Sequence, residues 1–218
     1  MIYTVIASEA VIPMPTLDLE HTLAPALVIG VDEAGRGPWA GPVVAAAVYF
    51  APGAAIPEGL NDSKKLSKSA RERLFQSLLD AGVAHGIGLA SAEEIDQRNI
   101  WQATQLAMRR AVEALPITPD LALIDGKLHP KPFPCATRPV IGGDGISLSI
   151  AAASILAKVT RDRRMDAYAS DYPEYGFERH AGYGTAFHQR ALATHGPCPI
   201  HRRSFAPIRA LLPAEEMA

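Results

Sequence analysis

Short apolar runs and helically spaced apolar residues alternate along this chain, and together they predict a mixed α/β domain. Residues 27–32 form an apolar run with the character of a buried strand, and the Val- and Ala-rich stretch 42–50 reads as its antiparallel neighbour. Residues 51–60, broken by Pro52, Gly53, Pro57 and Gly59, are a loop. Ser67 or Ser69 can cap the next helix, and Ser69 with Glu72 fits a capping box. Leu74, Phe75, Leu78 and Leu79 then recur at helical spacing until Gly82. A strand over 83–90 follows. Ser91 and Glu94 suit a second capping box for a short helix at 92–95, and a longer helix runs over 100–115 before Pro116.

The apolar stretch 121–124 is a short strand ending at Asp125-Gly126, whereas the proline-rich stretch 129–139 has no regular structure in its middle. Residues 147–168 read as a long helix whose buried side includes Ile150, Ala153, Ile155, Leu156 and Val159. Another helix covers 185–195, and a last short one follows Arg203. Residues 1–22, with prolines and little periodicity, read as an extension holding one short strand. Neither repeats nor a linker divide the rest, so residues 23–218 are expected to form one domain. Strands first, then helices, with one strand between helices, argue for a mixed sheet flanked by helices.

At 218 residues, 48% hydrophobic and 20% charged, the chain has the profile of a soluble globular protein long enough for a sizeable core. Cys135 and Cys198 match no zinc spacing and are expected to be free thiols in a reducing compartment. With no secretory pattern and no membrane-length apolar run, the expected location is the cytoplasm. The net charge of −2 does not mark a nucleic-acid binder, so any basic surface must be local.

The chemistry gathers where apolar runs end. Asp32 and Glu33 terminate the first strand, Asp125 terminates a later one, and Asp144 lies in a glycine-flanked turn before the long helix. Neighbouring strand residues face opposite sides, so Asp32 and Glu33 share a site only if the strand ends there. Taken singly, Asp125 can begin a turn and Asp144 can cap a helix. Four carboxylates together suit Mg²⁺ or Mn²⁺, and two such ions stabilise both attacking and leaving oxygens of an in-line displacement. The turn Gly35-Arg36-Gly37 adds close backbone approach and a forked donor suited to phosphate.

Lys64 and Lys65 lie in a polar turn that is either a solvated loop or a phosphate grip. Lys158, Arg161, Arg163 and Arg164 crowd the far part of the long helix, which also complements its dipole. The segment His201-Arg202-Arg203-Ser204-Phe205 either follows a nucleic-acid backbone or is a solvated tail. Tyr183 between glycines is either a loop packing residue or an exposed ring able to stack on a base or sugar. His180, His188, His195 and His201 look scattered, as surface or capping residues do.

These stretches resemble the bacterial ribonuclease HII family. The signatures are Val31-Asp32-Glu33-Ala34-Gly35-Arg36-Gly37, Asn61-Asp62-Ser63-Lys64-Lys65-Leu66-Ser67, Ile124-Asp125-Gly126, the helix segment from Ser149 to Val159, and the segment from His201 to Phe205. The resemblance implies an RNase H-like mixed β-sheet flanked by helices, with a C-terminal helical extension. It implies a Mn²⁺- or Mg²⁺-dependent endonuclease of ribonucleotide excision repair. Such an enzyme cuts RNA in RNA/DNA hybrids and incises 5′ of single ribonucleotides in duplex DNA, leaving 3′-hydroxyl and 5′-phosphate ends.

The family's metal-binding catalytic acids fall on Asp32, Glu33, Asp125 and Asp144. Substrate contacts fall on Gly35, Arg36, Gly37, Lys64, Lys65, Ser154, Lys158 and Tyr183, the glycine-arginine-glycine turn reading a ribose 2′-hydroxyl and Tyr183 sensing the RNA–DNA junction. Ala181 stands where the family often has lysine. A monomer with no membrane association is expected. Other readings are a DNA-only nuclease or resolvase of the same fold, which has no 2′-hydroxyl to read, and a non-catalytic hybrid-binding module, which is expected to have lost an acid.

Overall fold

The computed structural model describes residues 14–24 and 26–213. In chain order the elements are α1 (Asp18–His21), β1 (Val28–Ala34), β2 (Val43–Tyr49), α2 (Lys68–Asp80), β3 (Ala84–Ala90), α3 (Ala92–Glu113), β4 (Leu121–Asp125), β5 (Ala136–Val140), α4 (Leu148–Asp171), α5 (Phe177–His180), α6 (Ala186–His195) and α7 (Ala206–Arg209). The strands form one sheet in the order β3-β2-β1-β4-β5. β2 is antiparallel to β1 and to β3, while β4 is parallel to β1 and to β5.

Strand alternation sorts the core into two layers. Ile29, Val31, Val43, Ala45 and Ala47 pack with Ala103, Ala107, Met108 and Ala111 of α3. Ala46 and Val48 pack on the other face with Leu74 and Leu78 of α2 and Ala152, Ala153 and Leu156 of α4. The small residues of the central strands let both helical layers come close. At Gly30 a methyl group would overlap the Ser149–Ile150 backbone, so α4 rests directly on β1. A third cluster joins Met165 of α4 to Tyr175, Phe177, Leu192 and Ile208, which is the expected C-terminal helical part.

One strand is added and one local expectation is corrected. A fifth strand lies at the end of the proline-rich stretch, whose middle is irregular as expected, with Pro139 paired opposite Ile124. β5 is the sheet's edge strand, where a residue without an N–H is tolerated. Ser67 caps α2 by accepting from the Ala70 N–H, so the Ser69–Glu72 box does not form, and Glu72 instead pairs with Arg163 at 2.6 Å. The two helices expected at 92–95 and 100–115 are both present along α3, parted at Asn99, φ 67°, whose side chain caps the second by accepting from the Gln102 N–H. The Ser91–Glu94 capping box forms as expected.

The N-terminal stretch is built into the domain wherever it is described. The Thr16 backbone donates to Ile146 O and accepts from Leu148 N–H. The buried carboxylate of Glu20 accepts from the Ser147 and Ser149 hydroxyls and from the Ser149 N–H, at the start of α4. Among the described residues the extension makes one bridge, between Thr16 and Ser147; the rest of the stretch in which a short strand was expected, residues 1–13, lies outside the described residues.

Candidate active site

Parallel strands gather their carboxyl ends at one edge of the sheet, and the acids stand there. One carboxylate oxygen each from Asp32, Asp125 and Asp144 lies within 4.8 Å of the others. The Asp144 turn is held from two sides: Asp125 Oδ1 accepts from the Gly143 N–H at 2.8 Å, and the Glu20 contacts secure the adjoining helix start. Ser147, not Asp144, caps α4 by accepting from the Ile150 N–H. Asp144 is therefore free to face the other acids.

β1 does not end at Asp32 but continues to Ala34. Asp32 and Glu33 line one hollow of about 360 Å³, yet Glu33 stands outside the trio and bonds Arg36 at 3.3 Å. Burial raises the Asp32 pKa well above the usual carboxylate range, and repulsion from Glu33 and Asp125 adds to it. The Glu33 N–H, 2.7 Å from Asp32 Oδ1, opposes that shift without cancelling it. Burial likewise raises Glu33, with the Arg36 charge opposing, and raises Asp144, with Asp125 and Asp62 adding to it. An all-oxygen donor set whose members destabilise one another's charge fits a hard divalent cation.

Lys64 is the cation at hand, its Nζ 3.4 Å from Asp144. Burial works against its charge, but Asp144, Asp32 and Asp62 outweigh that and raise its pKa. Of the other expected contacts, Gly35, Arg36, Gly37, Ser154, Lys158 and Tyr183 line the same hollow. Ser154 bonds Ser63 at 2.7 Å and so ties the lysine turn to α4, while Lys158 reaches Asp162 at 2.8 Å. Lys65 is not part of that lining; its Nζ approaches Gly145, in the Asp144 turn. Asp62, which faces Asp144, is a member of this acidic surface that the residue pattern did not single out.

The turn after β1 depends on two buried arginines. Gly35 has φ 97°, and a side chain there would overlap Arg161. Arg202 donates to the carbonyls of Gly35, Arg36 and Gly41, and Arg161 to those of Ala40, Pro42 and Ala181. Both are fully buried, and burial lowers their pKa values to about 9 for Arg202 and about 10 for Arg161. Arg202 is thus neither laid along a nucleic-acid backbone nor part of a solvated tail: its fork, like that of Arg161, is consumed inside the protein, bracing the Gly35–Gly37 turn. Through Ala181 the same brace reaches the Tyr183 loop. Tyr183 is 48% exposed, and its ring is the nearest neighbour, at 3.7 Å, of the place a Gly37 side chain would occupy.

Histidines that look scattered in the sequence converge behind that loop. His188 Nδ1 bonds Tyr183 O at 3.0 Å, His188 Nε2 meets His201 Nε2 at 2.9 Å, and the Cys198 N–H reaches His201 Nδ1 at 2.9 Å. The ends assign the protons. A carbonyl only accepts, so His188 Nδ1 carries hydrogen, and its Nε2 must accept from His201. Both rings are then neutral, and burial lowers their pKa values to about 4. The available signal was His188 at helical spacing from the apolar Ala191 and Leu192.

The sheet order, the helices on both faces and the acids at the parallel strand ends place the protein in the RNase H-like class of nucleases. Residues 29–208 match the family profile described as Ribonuclease HII, and the chain belongs to that family. Ribonuclease HII of Parvibaculum lavamentivorans is 56% identical over 205 residues, covering 92% of this chain and 76% of the relative. That of Xanthomonas axonopodis pv. citri is 53% identical, covering 87% and 78%. The crystal structure of ribonuclease H2 from Pyrococcus horikoshii OT3 superposes with a TM-score of 0.70 at 29% identity, covering 84% of this chain and 96% of that one. The protein is a metal-dependent endonuclease that hydrolyses RNA in RNA/DNA hybrids. No helix among the described residues is long and apolar enough to cross a membrane.

Proposed function

We propose that the hollow at the sheet edge cuts 5′ of a ribonucleotide, including a single one embedded in duplex DNA, and leaves 3′-hydroxyl and 5′-phosphate ends. The observation that carries this reading is that the Gly35–Gly37 turn and Tyr183 line the same hollow as Asp32, Glu33 and Asp125. A single ribonucleotide differs from its neighbours by one 2′-hydroxyl. The backbone of Gly35, Arg36 and Gly37 reads that hydroxyl, and Tyr183 stacks on the next sugar, where a second hydroxyl would clash. Lys64, Lys65, Ser154 and Lys158 position the phosphates.

Asp32, Asp125 and Asp144 would hold Mg²⁺ or Mn²⁺, with Glu33 beside them; such an ion supplies charge stabilisation for in-line displacement at phosphorus. Before it binds, Lys64 partly balances the acids. The protein works as a monomer in the cytoplasm, and residues 23–218 act as one catalytic unit. A DNA-only nuclease is disfavoured because the braced turn and its tyrosine have nothing to read on DNA. The test is cleavage of a labelled duplex carrying one ribonucleotide, with Mg²⁺ or Mn²⁺, beside its all-DNA counterpart. One cut 5′ of the ribonucleotide is expected, and Asp125→Asn should abolish it while hybrid binding persists. Equal cutting of the all-DNA duplex would overturn the reading.

A further inference from the structure

A second hollow, of about 330 Å³, lies along α3 and is walled by Arg98, Trp101, Gln102, Gln105, Arg109 and Lys131. Three cations meet there in a chain of net charge −2, and no carboxylate belongs to the wall. Glu113 touches its rim, 3.6 Å from Arg109. The shape is set in advance, because Gln105 accepts from the Lys131 N–H at 3.2 Å and pins that loop to the helix.

Trp101 is out of place for a structural residue. The apolar stripe of α3 that packs on the sheet runs through Ala103, Ala107 and Ala111, and Trp101 lies off it, 48% exposed. Its one recorded ring partner is Arg36, whose guanidinium lies 5.9 Å from the ring centre. The groove thus borders the Gly35–Gly37 turn, with Arg36 between them. Cations for phosphates, amides for sugar and phosphate oxygens, and a flat ring for a sugar face make up the chemistry of a nucleic-acid backbone site.

We infer that this groove holds the sugar–phosphate backbone of the strand that is not cut. The inference rests on the proposed function. A 2′-hydroxyl read by the Gly35–Gly37 turn is displayed in the minor groove. The backbone facing it across that groove belongs to the opposite strand. The cut strand occupies the carboxylates, the lysine turn and Tyr183, and the cationic wall beyond Arg36 takes its partner.

The test compares two duplexes that carry the same cut strand with one ribonucleotide. In one, the uncut strand is full length; in the other, it is trimmed to a few pairs around the ribonucleotide. Lys131→Gln combined with Arg98→Gln, both exposed positions, should raise KM about tenfold on the first duplex and far less on the second. The salt dependence of binding to the full duplex should also become shallower by about one unit of slope per removed contact. Trp101→Ala should show the same selectivity. Equal losses on both duplexes, no loss on either, or a greater loss on the trimmed duplex would each overturn the inference. Failure of the wild-type protein to cut either duplex would instead strike at the proposed function.

Discussion

Acidification should act on this protein through the histidine pair behind Tyr183. His188 and His201 have pKa values near 4 in the fold, against 6.5 ordinarily, because burial disfavours their charged forms. Between these values the unfolded chain binds more protons than the folded one. Their contribution to stability is therefore complete above pH 6.5 and is lost as the pH falls toward 4. For one such group the linkage relation gives a loss of about 2 kcal/mol by about pH 5. The aromatic and thiol neighbours do not compensate, since burial raises Tyr175 to about 12 and Cys198 to about 11 and both stay neutral.

Asp32, Glu33 and Asp144 work in the opposite direction. Their raised values make the folded state take up protons first, so their contribution grows as the pH falls. A wild-type curve alone mixes the two effects, and a variant separates them. His188→Asn keeps an N–H donor for the Tyr183 carbonyl and removes one titrating ring. Urea unfolding of both proteins between about pH 7.5 and 5 should show the variant less stable at neutral pH, with the gap closing by about 2 kcal/mol on acidification. Parallel curves would refute the reasoning, and with it the assignment of His188 as a neutral, buried link.

Thermal unfolding should rise in midpoint with Mg²⁺ relative to EDTA, because an ion bound only by the folded state relieves the repulsion among Asp32, Asp125 and Asp144; an unchanged midpoint at saturating ion would argue against that trio as the site. Tyr183→Ala should cost about 1–3 kcal/mol of transition-state stabilisation at an RNA–DNA junction and far less within continuous hybrid, as read from kcat/KM on the two substrates. Arg202→Lys removes the fork from the Gly35, Arg36 and Gly41 carbonyls. Its signature is a loss of preference for ribonucleotide over deoxyribonucleotide sites at retained hybrid affinity. Glu20→Ala takes the acceptor from Ser147 and Ser149 and should lower unfolding stability by about 2 kcal/mol, with more Mg²⁺ needed for half-maximal cleavage.

The gathering of Asp32, Asp125 and Asp144 was legible in the sequence because an acid in or closing an apolar run, or set between glycines, carries its own local signature. The helices over 100–115 and 147–168 were legible for a similar reason, since their spacing and caps are local. What stayed hidden depends on residues far apart in the chain. Arg161 and Arg202 look like surface charges until the carbonyls of residues 35–42, more than a hundred positions earlier, are seen to need them. Glu20 looks like part of a loose extension until it meets Ser147 and Ser149. β5 was hidden by Pro139, which excludes a central strand but not an edge.

The two buried arginines also explain how a chain with 21 Lys and Arg against 23 Asp and Glu can read nucleic acid. Burying a guanidinium costs several kcal/mol, and among the described residues no carboxylate is hydrogen-bonded to either side chain to offset it. Each offsets the cost by satisfying three carbonyls that the strand ladders leave open, which lysine, with its compact ammonium, cannot reach in the same spread geometry. The pKa values of about 9 and 10 leave both charged at neutral pH. Arg161 also lines the hollow, so its charge favours an anion there while its nitrogens hold the walls. The Gly35–Gly37 turn and the loop that carries Tyr183 are thereby fixed at one spacing. On the proposed reading, discrimination at a single ribonucleotide rests on this preorganisation, because a mobile tyrosine accommodates a second hydroxyl and a fixed one does not.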